Sequence, residues 1–125
     1  MKKILIVDDS EVNLLLIQSI FEDDPEIQVQ IESESTNALA DMRENRPDLL
    51  ILDLMMPHID GFQLLQRIKA EPSLAEIPVM VISARHDTEA IEKVRQFGVE
   101  DYITKPVDLE IVATNIRSIL KLGAV

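Results

Sequence analysis

Apolar residues in this chain fall into two kinds of block. Ile4-Leu5-Ile6-Val7, Leu49-Leu50-Ile51-Leu52 and Val79-Met80-Val81-Ile82 are unbroken apolar runs bounded by polar or turn residues. Runs of this length predict strands buried on both faces, as in a parallel sheet. Longer stretches between them carry apolar residues at helical spacing. Read in order, the pattern predicts strands at Lys3 to Val7, Val29 to Glu32, Leu49 to Asp53, Val79 to Ser83 and Asp101 to Ile103. The predicted helices run from Glu11 to Glu22, Asn37 to Glu44, Phe62 to Ala70, Thr88 to Phe97 and Leu109 to Leu122. Ser10, Ser35 or Thr36, Asp87 and Asp108 are suited to cap four of them, and Gly98 to stop the fourth. All six prolines and Gly61, Gly98 and Gly123 fall between the predicted elements. Strand and helix alternating five times predict one α/β domain over residues 1–125, a parallel sheet with helices on both faces.

Two helix faces are assigned by the same reasoning. The first helix is expected to bury Leu16, Ile17, Ile20 and Phe21, with Asn13 at its top. That leaves Val12, Leu14 and Leu15 as surplus apolar residues, a candidate partner-docking patch or ordinary scattered surface residues. The second helix is expected to turn Ala38, Leu39 and Met42 inward.

The predicted strands end in polar residues. The first runs into Asp8-Asp9-Ser10, the third ends at Asp53, the fourth at Ser83, and Tyr102-Ile103-Thr104 leads to Lys105-Pro106. Ligands of open α/β sheets bind outside the carboxyl ends of the strands, so these groups should converge. Three carboxylates, a hydroxyl and an ammonium suit a divalent cation with an anion clamp. Mg²⁺ takes hard oxygen ligands and keeps several waters, so one or two carboxylates and a phosphate suffice. The Met55 carbonyl lies in the loop after Asp53 and is a further candidate ligand. A lysine is a compact point charge suited to phosphate. Each residue also has an ordinary role open to it: helix capping for Asp8-Asp9, turn chemistry for Asp60-Gly61 and Ser83, surface solvation for Lys105. His58 lies beside Asp53 in sequence, but a histidine in that loop is expected to face solvent.

Composition narrows the class. A chain of 125 residues with no cysteine uses neither disulfides nor thiolate metal sites. A net charge of −11 repels phosphate backbones and argues against direct nucleic-acid binding. No run approaches the ~18 apolar residues of a membrane span. Only four apolar residues separate Lys3 from the first aspartates, so no leader is expected and a cytoplasmic location is the default reading.

The motifs together resemble the receiver domain of two-component response regulators. They are Val7-Asp8-Asp9-Ser10, Leu52-Asp53-Leu54-Met55-Met56-Pro57 with Asp60-Gly61, Ile82-Ser83-Ala84, and Asp101-Tyr102-Ile103-Thr104-Lys105-Pro106. The likeness covers essentially the whole chain in order and spacing. It implies a flavodoxin-like (βα)5 fold with strand order 2-1-3-4-5 and a role in phosphorelay signalling. By resemblance, Asp53 is the phosphoacceptor. Asp9, Asp53 and the Met55 carbonyl hold Mg²⁺, with Mn²⁺ as a substitute, and Asp8 acts on the metal largely through water. Lys105 and Ser83 bind the transferred oxygens. Ser83 and Tyr102 form a switch that remodels the face of the fourth helix, fifth strand and fifth helix. The implied partners are a histidine kinase or phosphotransfer protein, which the Val12, Leu14, Leu15 patch would meet, and a downstream protein or effector domain. A monomer or a weak phosphorylation-dependent dimer is implied, with no separate substrate turnover. The family also joins Lys105 and Pro106 by a cis peptide. Met55 and Arg85 flank the pocket at variable positions that tune phosphate lifetime, and an apolar Met55 favours slow dephosphorylation.

Three other readings compete. A flavodoxin-like electron carrier lacks support because adjacent acids replace a Ser/Thr/Gly-rich phosphate cradle. An aspartyl-phosphate phosphatase needs a second acid two residues after the nucleophile, where Met55 stands. A phosphorylation-independent interaction module would not need every site residue, yet all are present. No output domain is visible in the chain.

Overall fold

The computed structural model describes residues 1–123. Its elements are β1 (Lys2–Val7), α1 (Glu11–Ile20), β2 (Ile27–Glu32), α2 (Ala38–Glu44), β3 (Leu49–Asp53), α3 (Gly61–Ala70), β4 (Val79–Ser83), α4 (Thr88–Arg95), β5 (Asp101–Thr104) and α5 (Leu109–Ile119). All four strand pairings are parallel and the order is β2-β1-β3-β4-β5, the expected flavodoxin-like arrangement. The order reverses between β1 and β3, whose Val7 and Leu52 are in register. Asp8 and Asp53 therefore leave the sheet side by side.

The unbroken apolar runs are explained by two cores. Leu5, Val7, Leu50, Leu52, Val79 and Val81 face one side and pack with α2, α3 and α4 residues such as Met42, Leu64, Leu65, Ile68 and Val94. Ile4, Ile6, Leu49, Ile51, Met80 and Ile82 face the other and meet Leu14, Ile17, Val112 and Ile116 of α1 and α5. Side chains alternate across a strand, so a strand covered on both faces must be apolar at every position. Every residue of β3 and β4 is buried.

The structure corrects the orientation of α1. Its buried residues are Leu14 and Ile17, followed by Phe21 in the cap, while Leu16 is 42% exposed. Leu14 is 2% exposed and belongs to the core, so it cannot serve in a docking patch; Val12 and Leu15 remain exposed. Seven apolar residues lie between positions 12 and 21, and several stripes are compatible with helical spacing. Packing against β1 and α5 selects the one spaced 14, 17, 21.

Smaller corrections concern boundaries. β2 begins two residues before the expected start, α1 ends at Ile20, α4 at Arg95 and α5 at Ile119. A short 3-10 turn, Ser35–Asn37, precedes α2, and no side-chain cap is made there. Ser35 instead donates its hydroxyl to the Pro57 carbonyl at 3.1 Å. Gly61 is the first residue of α3, not a linker residue. The Ser10, Asp87 and Asp108 caps form as expected.

Candidate functional site

Three chain segments carry acids or a lysine to one end of the sheet. Asp8 and Asp9 follow β1, Asp53 ends β3, and Lys105 follows β5. Asp8 and Asp53 are buried, and one carboxylate oxygen from each of Asp8, Asp9 and Asp53 lies within 4.8 Å of the others. Asp9 is exposed and closes the group on the solvent side. Among the described residues this is the one such cluster of possible metal ligands.

Each buried carboxylate divides its oxygens in the same way. Asp8 accepts from the Ser10 N–H at 2.9 Å with one oxygen and from Lys105 Nζ at 3.3 Å with the other. Asp53 accepts from the Met55 N–H at 3.2 Å and from Lys105 Nζ at 3.2 Å. The local N–H bonds fix the carboxylates; the lysine bridges them. Lys105 precedes Pro106 across a cis peptide, the isomer the family resemblance implies.

One ammonium does not balance three carboxylates. Burial, and next the charge of Asp8, push the Asp53 carboxyl up to about 6, against the opposing effects of Lys105 and the Met55 N–H. The surplus negative charge and the all-oxygen donor set fit a hard divalent cation better than a second ammonium. Met55 itself holds its side chain 54% exposed beside the site.

The loop after β3 is closed by its own backbone. The Gly61 N–H donates to the Leu54 carbonyl at 2.9 Å, and a β-carbon at Gly61 would lie 2.5 Å from the Leu54 α-carbon and 2.7 Å from the Asp53 carbonyl oxygen. No side chain fits there without moving Asp53. Asp60 caps α3 in a reciprocal capping box with Gln63. His58 takes a positive φ of 68° and is exposed, as expected for that loop.

Ser83 is fully buried at the end of β4, and its Oγ accepts the Arg85 N–H at 3.1 Å. That bond leaves the hydroxyl proton free for an acceptor in the site. Tyr102 is half-buried and donates its hydroxyl to the Arg85 carbonyl at 2.7 Å. Ser83 and Tyr102 thus meet through the backbone of one residue, Arg85. The family resemblance placed Arg85 beside the pocket but carried no sign of this junction. The Arg85 side chain turns to Asp87, with bonds of 3.0 and 2.8 Å, and that pairing is the first cause holding the Asp87 carboxyl at about 2.

Comparison with known proteins follows the same lines. Residues 4–117 match the response regulator receiver domain family. The chain is 32% identical over 120 residues to the transcriptional regulatory protein AfsQ1 of Streptomyces coelicolor, covering 96% of this chain and 51% of that protein. It is 31% identical over 119 residues to the polar-differentiation response regulator DivK of Brucella anthropi, covering 95% of this chain and 96% of that one. The chain therefore spans about half the length of the first relative and nearly all of the second. Among solved structures, the Mn(2+)-bound form of response regulator Rcp1 superposes with a TM-score of 0.82 at 28% identity, over 95% of this chain and 91% of that one.

Proposed function

This chain belongs to the response regulator receiver domain family, and from that membership we propose that it takes up a phosphoryl group on Asp53 from a phosphohistidine donor. The observation that carries the reading is the Asp53 carboxylate itself, buried at a strand end with one oxygen on Lys105 and surrounded by two further acids. Its pKa of about 6 leaves it ionised at neutral pH and able to attack. One Asp53 oxygen forms the new bond to phosphorus while the phosphorus–nitrogen bond to the donor histidine breaks, and the imidazole leaves with the electron pair. Lys105 and the Ser83 hydroxyl meet the oxygens of the transferred group, the lysine as a charge and the serine as a donor. Asp8, Asp9, Asp53 and the Met55 carbonyl would hold Mg²⁺ or Mn²⁺, which when bound offsets charge on the group in transfer. The Mn(2+)-bound Rcp1 structure supports a divalent ion in this fold.

The chain is an acceptor in this reading, without a separate substrate to turn over. The new charge at Asp53 draws Ser83, and through Arg85 the β4–α4 loop and Tyr102, so the face of α4, β5 and α5 reports the phosphoryl state. Val12 and Leu15, exposed on α1, are the proposed contact for the donor protein; Leu14 is not. Output then runs through protein contact or through a further domain, as a cytoplasmic signalling step.

Incubation with acetyl phosphate and Mg²⁺, followed by intact mass, tests the proposal. One phosphoryl adduct is expected on the wild type and none on Asp53→Ala or in the absence of Mg²⁺. No adduct on the wild type, together with no beryllium fluoride binding, would leave a phosphorylation-independent interaction module.

A further inference from the structure

The helices on the α2–α3–α4 face are anchored very differently. α3 buries Leu64, Leu65 and Ile68. α4 buries only Ala90 and Val94 over eight residues, two small side chains. A further contact to α4 is made from α3, at Phe62. The Lys93 Nζ of α4 sits 4.3 Å from the centre of the Phe62 ring, and the Arg85 guanidinium carbon sits 5.7 Å from it. Both distances fall within the ~6 Å over which a cation is attracted by an aromatic face. Phe62 is half-buried against the core and cannot follow either cation if it moves. Arg85 is also bonded to Asp87, the N-cap of α4, which accepts the Ala90 N–H at 3.1 Å. The charged contacts therefore grip α4 at its N-cap and in its last turn.

We infer that α4 is seated by a two-cation clasp on the Phe62 ring, with Lys93 and Arg85 as the gripping groups and Phe62 as a positioning residue. Lys93 is exposed, so the clasp can let go while Ala90 and Val94 keep their places in the core. Arg85 also presents its N–H to Ser83 and its carbonyl to Tyr102, so the clasp is fastened at the residue where those two side chains meet. The clasp stands on the geometry of the unmodified protein and does not depend on phosphorylation of Asp53.

Amide hydrogen exchange resolved by segment tests it on the full chain. Lys93→Met keeps the reach of the side chain and removes its charge; Phe62→Leu keeps an apolar body and removes the ring. Each should speed exchange in α4 about two- to fivefold, the factor that a cation–π contact of about 0.5–1 kcal/mol gives, with α3 amides unchanged. The double variant should be no faster than the faster single variant, and Phe62→Tyr should match wild type. The inference is overturned if Lys93→Met leaves α4 exchange unchanged, if the two effects multiply, or if Phe62→Leu speeds α3 and α4 alike. Lys93 is exposed, so its variant tests the clasp even where Phe62→Leu loosens the fold.

Discussion

Two clusters at different places in this domain are built from the same parts, one cation and a set of acids, and differ in their charge balance. At the sheet's carboxyl end, Lys105 bridges Asp8 and Asp53, both 4% exposed, with Asp9 beside them. At the far end of α5, Arg117 pairs with Asp24 at 2.7 Å and Glu26 at 3.0 Å and donates to the Gly123 carbonyl. Glu26 is 53% exposed, so water carries part of that second charge, and the guanidinium's rigid fork is spent on three acceptors. The Arg117 cluster is satisfied and ties α5 to the α1–β2 loop. The Lys105 cluster has more buried carboxylate than its ammonium can neutralise, and burial prevents water from making up the difference. Unbalanced burial is what makes a site able to take a cation or a transferred anion; balanced pairing makes a strut.

Exchanging the cations' fates should separate the two most widely. Lys105→Met should slow uptake from acetyl phosphate about 100-fold or more, since it removes the charge proposed to meet the transferred oxygens. Arg117→Met should leave uptake within about twofold and instead cost about 1–3 kcal/mol in urea unfolding, the range for charged hydrogen bonds left without a partner. Equal uptake defects in both variants would dissolve the contrast.

Acidity sharpens it next. Asp53 is held at about 6 while an unfolded aspartate ionises near 3.8. Between those values the folded chain binds the extra proton, so metal-free stability should fall as pH rises from 4 through 6, by on the order of 1–3 kcal/mol. Asp53→Asn should flatten that part of the curve. Added Mg²⁺ should stabilise the wild type above pH 6, and EDTA should reverse it, with neither acting on Asp53→Asn to the same extent. A wild-type pH profile equal to that of the variant would place the surplus charge elsewhere.

The smallest effect concerns a third acid. Asp41 of α2 has a buried oxygen without a partner, and burial followed by the neighbouring Glu32 raises its carboxyl to about 7. It too retains a proton in the folded state, so Asp41→Asn should reduce the residual loss of stability between pH 4 and 7 while leaving phosphoryl uptake unchanged. An unaltered profile would mean that solvent reaches the pair.

The strands and the site residues were legible because both are written locally. A strand covered on both faces has to be apolar at every position, and a residue at its carboxyl end has only one place to go. That is why Asp8, Asp53 and Lys105 could be expected at one end of the sheet once the strands were assigned, and there they meet. The phase of α1 was not legible: Leu14 and Leu16 offer the same chemistry, and only contact with β1 and α5 distinguishes them. Arg117 carried a faint signal, a cation among the apolar residues Val112, Ile116 and Leu120, but its acidic partners lie more than ninety residues away in the chain.

The sequence by itself determined which segments become strands, where they stop and which reactive groups stand at the stops, because each follows from the local pattern of burial. Only the tertiary structure decided the charge balance at each cluster, the face α1 turns inward, and the meeting of Ser83, Tyr102 and Phe62 around Arg85. Those depend on distances between segments far apart in the chain, and electrostatic energies change with every ångström and with each layer of water removed.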